Sequence, residues 1–207
     1  MLTLTVTGYF NAETNFYSWE GIQYGHVERF QQPTTPTDLP TIQNAFTKGP
    51  ICSQFTANGI HPIPIDPGAE QCLFLNVYVP PQLRCSNKPA PVVVWIHGGG
   101  YGFGFPDFAG QVTNAMGLDN GTTILVTIQY RLGIFGFLAG KEIHNSGDSN
   151  LGVRACLVVS AQTRILMFYR FMTRSSLSNG STNTSHHSVE TPTTSLFGVS
   201  RQAVVLS

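Results

Sequence analysis

The 207-residue chain balances 11 Lys and Arg against 11 Asp and Glu, and 42% of its residues are hydrophobic. That length and apolar content suit one domain, and the absence of a basic stripe argues against a nucleic-acid partner. No apolar run reaches a bilayer span: residues 153–172 come nearest, and Arg154, Arg164 and Arg170 interrupt them.

Residues 2–6 alternate apolar and polar side chains as a strand does, without the basic start and long apolar run of a signal peptide. A turn at Asn11-Ala-Glu-Thr14 leads to a second strand over 16–24, and the Pro- and Thr-rich stretch 31–50 reads as a loop. Cys52 and Cys72 flank a Pro- and Gly-rich segment, 55–70, with little periodicity of its own. A disulfide between them would contribute roughly 3 kcal/mol in the chain-entropy model and imply an oxidising compartment. Two reduced, buried thiols are the alternative. Cys85 and Cys156 have no evident partner, and Asn120-Gly-Thr122 matches a glycosylation acceptor.

Residues 72–80 predict a strand stopped by Pro80-Pro81, and 91–96 a central strand, apolar on both faces as in a covered sheet. That strand runs into His97-Gly-Gly-Gly100-Tyr101. Glycine reaches conformations closed to other residues, so such a loop can turn main-chain N–H groups toward a ligand oxygen. A helix over 107–118 and a buried strand over 123–131 follow. Strand, glycine loop, helix and strand predict an α/β fold, with antiparallel N-terminal strands leading into a parallel central sheet.

Four segments together resemble the type-B carboxylesterases, the cholinesterase-like branch of the α/β hydrolases. Phe16-Tyr-Ser-Trp-Glu-Gly-Ile-Gln-Tyr-Gly25 with Arg29-Phe-Gln-Gln-Pro33 is similar to an early family signature, although the P-x-G linker between them is missing. Cys72-Leu-Phe-Leu-Asn-Val-Tyr78, His97-Gly-Gly-Gly-Tyr101 and Gln129-Tyr-Arg-Leu-Gly-Ile-Phe-Gly-Phe-Leu138 match three more, in family order. The resemblance covers residues 1–152 and implies an incomplete α/β-hydrolase fold. It also implies a Cys52–Cys72 disulfide, oxyanion amides from Gly99 and Gly100 with Gly98 shaping the turn, and a loop-shaping role for His97. The family's substrate is a small carboxylic ester, and no cofactor, metal, nucleic acid or membrane span is implied. Family and disulfide suggest secretion, against the missing signal peptide.

The family's G-x-S-x-G nucleophile elbow has its nearest match in Gly198-Val-Ser-Arg-Gln202. Arg201 and Gln202 stand where that strained turn needs small residues. Ser200 is therefore a weak nucleophile candidate, and no catalytic set is intact. The reading is a truncated ester hydrolase, inactive alone; the alternative is a non-catalytic cholinesterase-like interaction module.

Residues 153–207 lack the resemblance. The stretch 173–195 is rich in Ser and Thr, as disordered segments are, and the adjacent His186 and His187 read as solvated. Permitted codons read one nucleotide earlier over 187–204 spell the family's approach to its serine. Val153-Arg-Ala155 and Phe168-Tyr-Arg170 permit splice donor and acceptor sequences. The tail thus reads as a translated retained intron followed by frame-shifted sequence. In the family topology the glycine-loop strand would then lose one neighbour and become a sheet edge prone to aggregation.

Overall fold

The computed structural model describes residues 5–37, 39–40, 42–54, 68–84, 90–106, 121–166 and 193–195. The helix expected at 107–118, most of the 55–70 loop, Cys85, Asn120, the His186–His187 pair and Ser200 lie outside them.

The main sheet has five strands. β2 (Tyr9–Asn11), β3 (Phe16–Gln23), β5 (Phe74–Val79), β7 (Ile124–Ile128) and β6 (Val92–Ile96) lie side by side in that order. Pairing is antiparallel from β2 through β7 and parallel between β7 and β6. β7 is buried on both faces at Leu125, Val126, Thr127 and Ile128, which is why its sequence reads as a continuous apolar run. A second sheet orders β4 (Ile42–Asn44), β1 (Thr5–Thr7) and β8 (Thr193–Ser195).

Two of these short strands depart from the sequence reading. β4 lies inside the stretch read as a loop, and β8 inside the stretch read as disordered. Both are three residues long and flank β1, so main-chain pairing rather than side-chain pattern defines them.

β3 and β5 slip register between Trp19 and Ile22. Gly21 sits in this bulge at φ 76°, and a Cβ there would lie 2.3 Å from the Thr47 carbonyl oxygen. The irregularity leaves the Gly21 N–H without a ladder partner, and the buried Asn76 side chain accepts it at 3.0 Å. Asn76 then donates through Nδ2 to Thr127 Oγ1 at 3.1 Å, tying the bulge to β7. Beside it, the buried Glu20 carboxylate accepts hydrogen bonds from Tyr9 and Tyr78 at 2.9 and 3.1 Å.

The larger core cluster joins Leu73, Leu75, Val126, Ile128 and Leu132 to Tyr24, Ala155 and the Cys52–Cys72 disulfide. A smaller one packs Val6, Trp19, Ala45 and Val79. Among the described residues, α1 (Pro81–Arg84) lies between β5 and β6, and α2 (Gly133–Phe137), α3 (Lys141–Ser146) and α4 (Leu151–Leu166) follow β7. α4 buries Leu151 and Ala155 one turn apart, and Gly152 lets it approach closely. A Cβ on Gly152 would lie 2.5 Å from the Phe137 ring and 2.6 Å from the Arg131 carbonyl oxygen.

Among the described residues β6 pairs with β7 alone, the edge position expected of a glycine-loop strand that has lost one neighbour. It is not the strand covered on both faces that its apolar sequence alone predicts, since Val93 and Ile96 are 42% and 51% exposed. Its apolar sequence makes it a strand, but a strand's cover comes from its neighbours.

Candidate functional site

The glycine loop leaves the C-terminal end of β6 and is held at four points. His97 comes first, at 2% exposure. Its carbonyl accepts the Tyr130 hydroxyl at 2.9 Å, and its ring stacks on the Tyr130 ring with centroids 4.5 Å apart. His97 Nδ1 lies 2.8 Å from the Gly98 carbonyl oxygen, and Nε2 lies 3.2 Å from Gln129 Oε1. Burial pushes the His97 pKa below its ordinary value, against the opposing pull of these two hydrogen bonds. A neutral imidazole has one N–H and both facing oxygens accept, so it donates to one of them at a time, the Gly98 carbonyl being the nearer. With both nitrogens facing oxygen atoms of the protein and the ring buried, His97 shapes the loop and is not placed to shuttle a substrate's proton.

The second hold is the turn itself. The carbonyl of Gly99 accepts from the N–H groups of Gly102 and Phe103 at 3.1 and 3.3 Å. Gly99, Gly100 and Tyr101 all lie in the left-handed half of conformational space, at φ 121°, 59° and 64°. Gly99 is sterically fixed: a Cβ there would meet the Phe103 carbonyl oxygen at 1.7 Å. Cβ atoms on Gly98 or Gly100 would meet nothing within 4 Å. Tyr101 adopts positive φ without glycine's freedom, at a cost of about 1 kcal/mol.

Third, the Gly133 N–H donates to the Tyr101 carbonyl at 2.7 Å, and the exposed Tyr101 ring packs on Phe137 at 4.8 Å between centroids. Tyr130 and Gly133 thus support the loop from its two ends, which gives the spacing of the Tyr-Arg-Leu-Gly segment its physical meaning. The fourth hold is Gln54, whose side chain bonds both main-chain groups of Gly104. Gly104 is itself constrained, since a Cβ would lie 2.4 Å from His97 Nδ1. Gln54 stands two residues beyond Cys52, so the disulfide anchors it. Sequence reasoning missed Gln54 and Gly104, which carry no local motif; the available signal was only their place beside Cys52 and the glycine run.

Among the described residues, the N–H groups of Gly98, Gly99 and Gly100 donate no hydrogen bond within the protein. The loop therefore presents consecutive main-chain donors on a braced support, an arrangement suited to an oxygen that gains negative charge.

Other reactive groups are quiet. Burial pushes the Cys156 thiol up to about 11, and its Sγ lies 3.5 Å from the Gly152 carbonyl oxygen, so it is protonated at neutral pH. Burial also lowers the Arg131 pKa; its Nη1 donates to the Glu28 carbonyl at 3.3 Å, while Nε and Nη2 have no partner. Arg29 and Glu70 form a two-pronged ion pair at the surface, and hydrogen bonding from Arg29 holds the Glu70 carboxyl below its usual range. No group of three or more His, Cys, Asp or Glu able to hold a metal occurs among the described residues, and no helix there is long and apolar enough to cross a membrane.

The sequence model of the carboxylesterase family matches residues 5–154. The chain belongs to the carboxylesterase family. Carboxylesterase 1D of Rattus norvegicus is 37% identical over 131 residues, covering 58% of this chain and 22% of the relative. Para-nitrobenzyl esterase of Bacillus subtilis is 32% identical over 149 residues, covering 68% of this chain and 29% of the relative. The crystal structure of Aspergillus niger EstA superposes with a TM-score of 0.63 at 26% identity, over 80% of this chain and 31% of that one. The chain thus spans less than a third of the length of these carboxylesterases, and its mixed sheet is part of an α/β-hydrolase fold.

Proposed function

We propose that this carboxylesterase chain carries the charge-stabilising half of a serine-dependent ester hydrolase. The observation that supports it is the braced glycine loop, in which Gly99 has no steric alternative and the Gly99 and Gly100 amides have no partner within the protein. In this reading the carbonyl oxygen of a small carboxylic ester accepts from those two N–H groups, with Gly98 setting the approach. When a nucleophile adds to the carbon, that oxygen becomes an anion and the two bonds strengthen, each being worth on the order of 3 kcal/mol of barrier. No serine, base and orienting acid come together with the loop among the described residues, and Ser200 lies outside them. The chain alone is therefore inactive, because no acyl-enzyme forms without an activated nucleophile.

The test is aryl-ester hydrolysis by this chain, by its Ser200→Ala variant, and by the protein with its reading frame restored from residue 153. Turnover is expected only from the third, and Gly99→Ala in that protein lowers kcat on the order of 100-fold. A burst of product from the chain itself, abolished by Ser200→Ala, overturns the reading.

The frame shift is part of the same proposal. The family match stops at residue 154, where the chain continues for another 53 residues. Residues 153–207 are read as a translated retained intron followed by shifted sequence. Sequencing the genomic locus and the spliced transcript tests this, and a shifted frame without a serine elbow sinks it.

A further inference from the structure

A small cavity adjoins the segment that follows the glycine loop. It encloses about 50 Å³, is walled by Ile51, Phe74, Phe105 and Pro106, and receives polar groups from Asn76 and Gln129. Phe105 and Pro106 come directly after Gly104, which Gln54 grips, and Phe74 is the first residue of β5. The walls therefore stand on parts of the fold that are held independently of any occupant. Such a volume has room for roughly four groups the size of a water molecule.

The polar groups around it are committed, with one exception. Asn76 Oδ1 accepts the Gly21 N–H, and Nδ2 donates to Thr127 Oγ1. Gln129, 3% exposed, donates its main-chain N–H to the Phe74 carbonyl at 3.0 Å. Its own carbonyl accepts from the Tyr24 hydroxyl, and its Oε1 faces His97 Nε2. Gln129 Nε2 is left, the end of the carboxamide turned from His97, with no hydrogen-bond partner among the described residues. A buried amide donor without a partner is costly, and an acceptor inside the cavity would satisfy it. The only charged side chain lining the cavity among the described residues is Lys48, whose Nζ lies 4.0 Å from the Glu20 carboxylate. That carboxylate already offsets the charge, so nothing in the lining favours an anion.

We infer that this cavity binds a small uncharged carbonyl compound, a ketone or aldehyde of about four non-hydrogen atoms, whose oxygen accepts from Gln129 Nε2. A carbonyl only accepts, so it leaves no donor of its own unpaired against the apolar walls. An alcohol of the same shape brings a hydroxyl proton for which the carboxamide end offers no acceptor, and a carboxylate brings a charge those walls cannot solvate. Because the same carboxamide faces His97, an occupant steadies the group that backs the glycine loop. The site does not depend on ester hydrolysis by this chain.

The experiment is a titration of the isotope-labelled full chain with acetone, followed through the side-chain amide resonances of Gln129. A saturable shift is expected, with nuclear Overhauser contacts from the acetone methyl groups to the Phe74 and Phe105 rings. Isopropanol, the same shape with a donor added, is expected to bind about tenfold more weakly, and acetate to cause no saturable shift. Ile51→Phe fills the cavity and is expected to abolish the acetone response, with its amide spectrum reading whether the fold is kept. Should that variant unfold, the methyl contacts in the unaltered chain decide alone. A shift that stays linear in acetone concentration, methyl contacts that avoid Phe74 and Phe105, or equal binding of all three compounds overturns the inference. Undiminished binding by a folded Ile51→Phe chain overturns it as well.

Discussion

Gln54 and Gly104, fifty residues apart, exchange two hydrogen bonds: Gln54 Nε2 donates to the Gly104 carbonyl at 2.8 Å, and the Gly104 N–H donates to Gln54 Oε1 at 3.0 Å. A carboxamide carries a donor and an acceptor side by side, so it satisfies both main-chain groups at once. Gln54→Ala therefore leaves two part-buried polar groups without their partner, at about 1–3 kcal/mol locally. Amide exchange at Gly104 is expected to accelerate while that of Val126, in the buried β7, stays unchanged. Equal acceleration at both would show that Gln54 supports the whole fold and not this loop.

The two proposed oxyanion glycines differ in what they tolerate. Gly99→Ala sets a methyl 1.7 Å from the Phe103 carbonyl oxygen, so the turn has to open. Gly100→Ala meets no atom within 4 Å and suffers only the left-handed backbone penalty, about 1 kcal/mol. The Gly102 amide, bonded to Gly99, is expected to lose its exchange protection in the first variant and keep most of it in the second.

His97 makes the loop sensitive to acid. Its folded pKa lies below 6.5 because burial disfavours the imidazolium, whereas the unfolded chain titrates near 6.5. Between those values the unfolded state binds the extra proton. The contribution of a neutral His97 is thus fully present above pH 6.5 and is lost as pH falls through the depressed folded value. Urea midpoints measured from pH 7.5 down to pH 5 are expected to fall, and His97→Gln is expected to flatten that dependence.

Arg131 is a buried cation with one hydrogen bond, to the Glu28 carbonyl, and two nitrogen atoms without a partner. The Asp148 carboxylate attracts it without bonding to it directly. Replacing such a charge by an apolar side chain of similar length removes a desolvation penalty. Arg131→Met is expected to be neutral or stabilising by up to about 3 kcal/mol, read as a raised urea midpoint. A fall of similar size would mean that the guanidinium is held by more than the Glu28 carbonyl.

The parts legible in the sequence are those where local pattern and tertiary demand agree. Residues 124–128 read as a buried strand because both faces are covered, and the glycine run read as a main-chain donor loop because Gly99 admits no Cβ. Gln54 was invisible because its partner lies fifty positions away and glutamine is ordinary in a loop. β4 and β8 escaped because three residues hold too little pattern, and their pairing with β1 is all that defines them. Residues 153–172 are apolar without clear amphipathic order in the sequence, yet α4 forms over Leu151–Leu166 because Leu151 and Ala155 find the core beneath them. The exposure of Val93 and Ile96 was not a property of β6 at all but of what stands beside it.

The order of the main sheet also sets a timetable for synthesis. β6 reaches the sheet only through β7, which emerges from the ribosome about thirty residues later, while β3 and β5 are already available to pair. Until then the Val92–Ile96 ribbon and its glycine turn wait without Tyr130 or Gly133 to grip them. The segment with the greatest tendency to stick is thus the last of the large strands to find shelter, and among the described residues that shelter covers one flank.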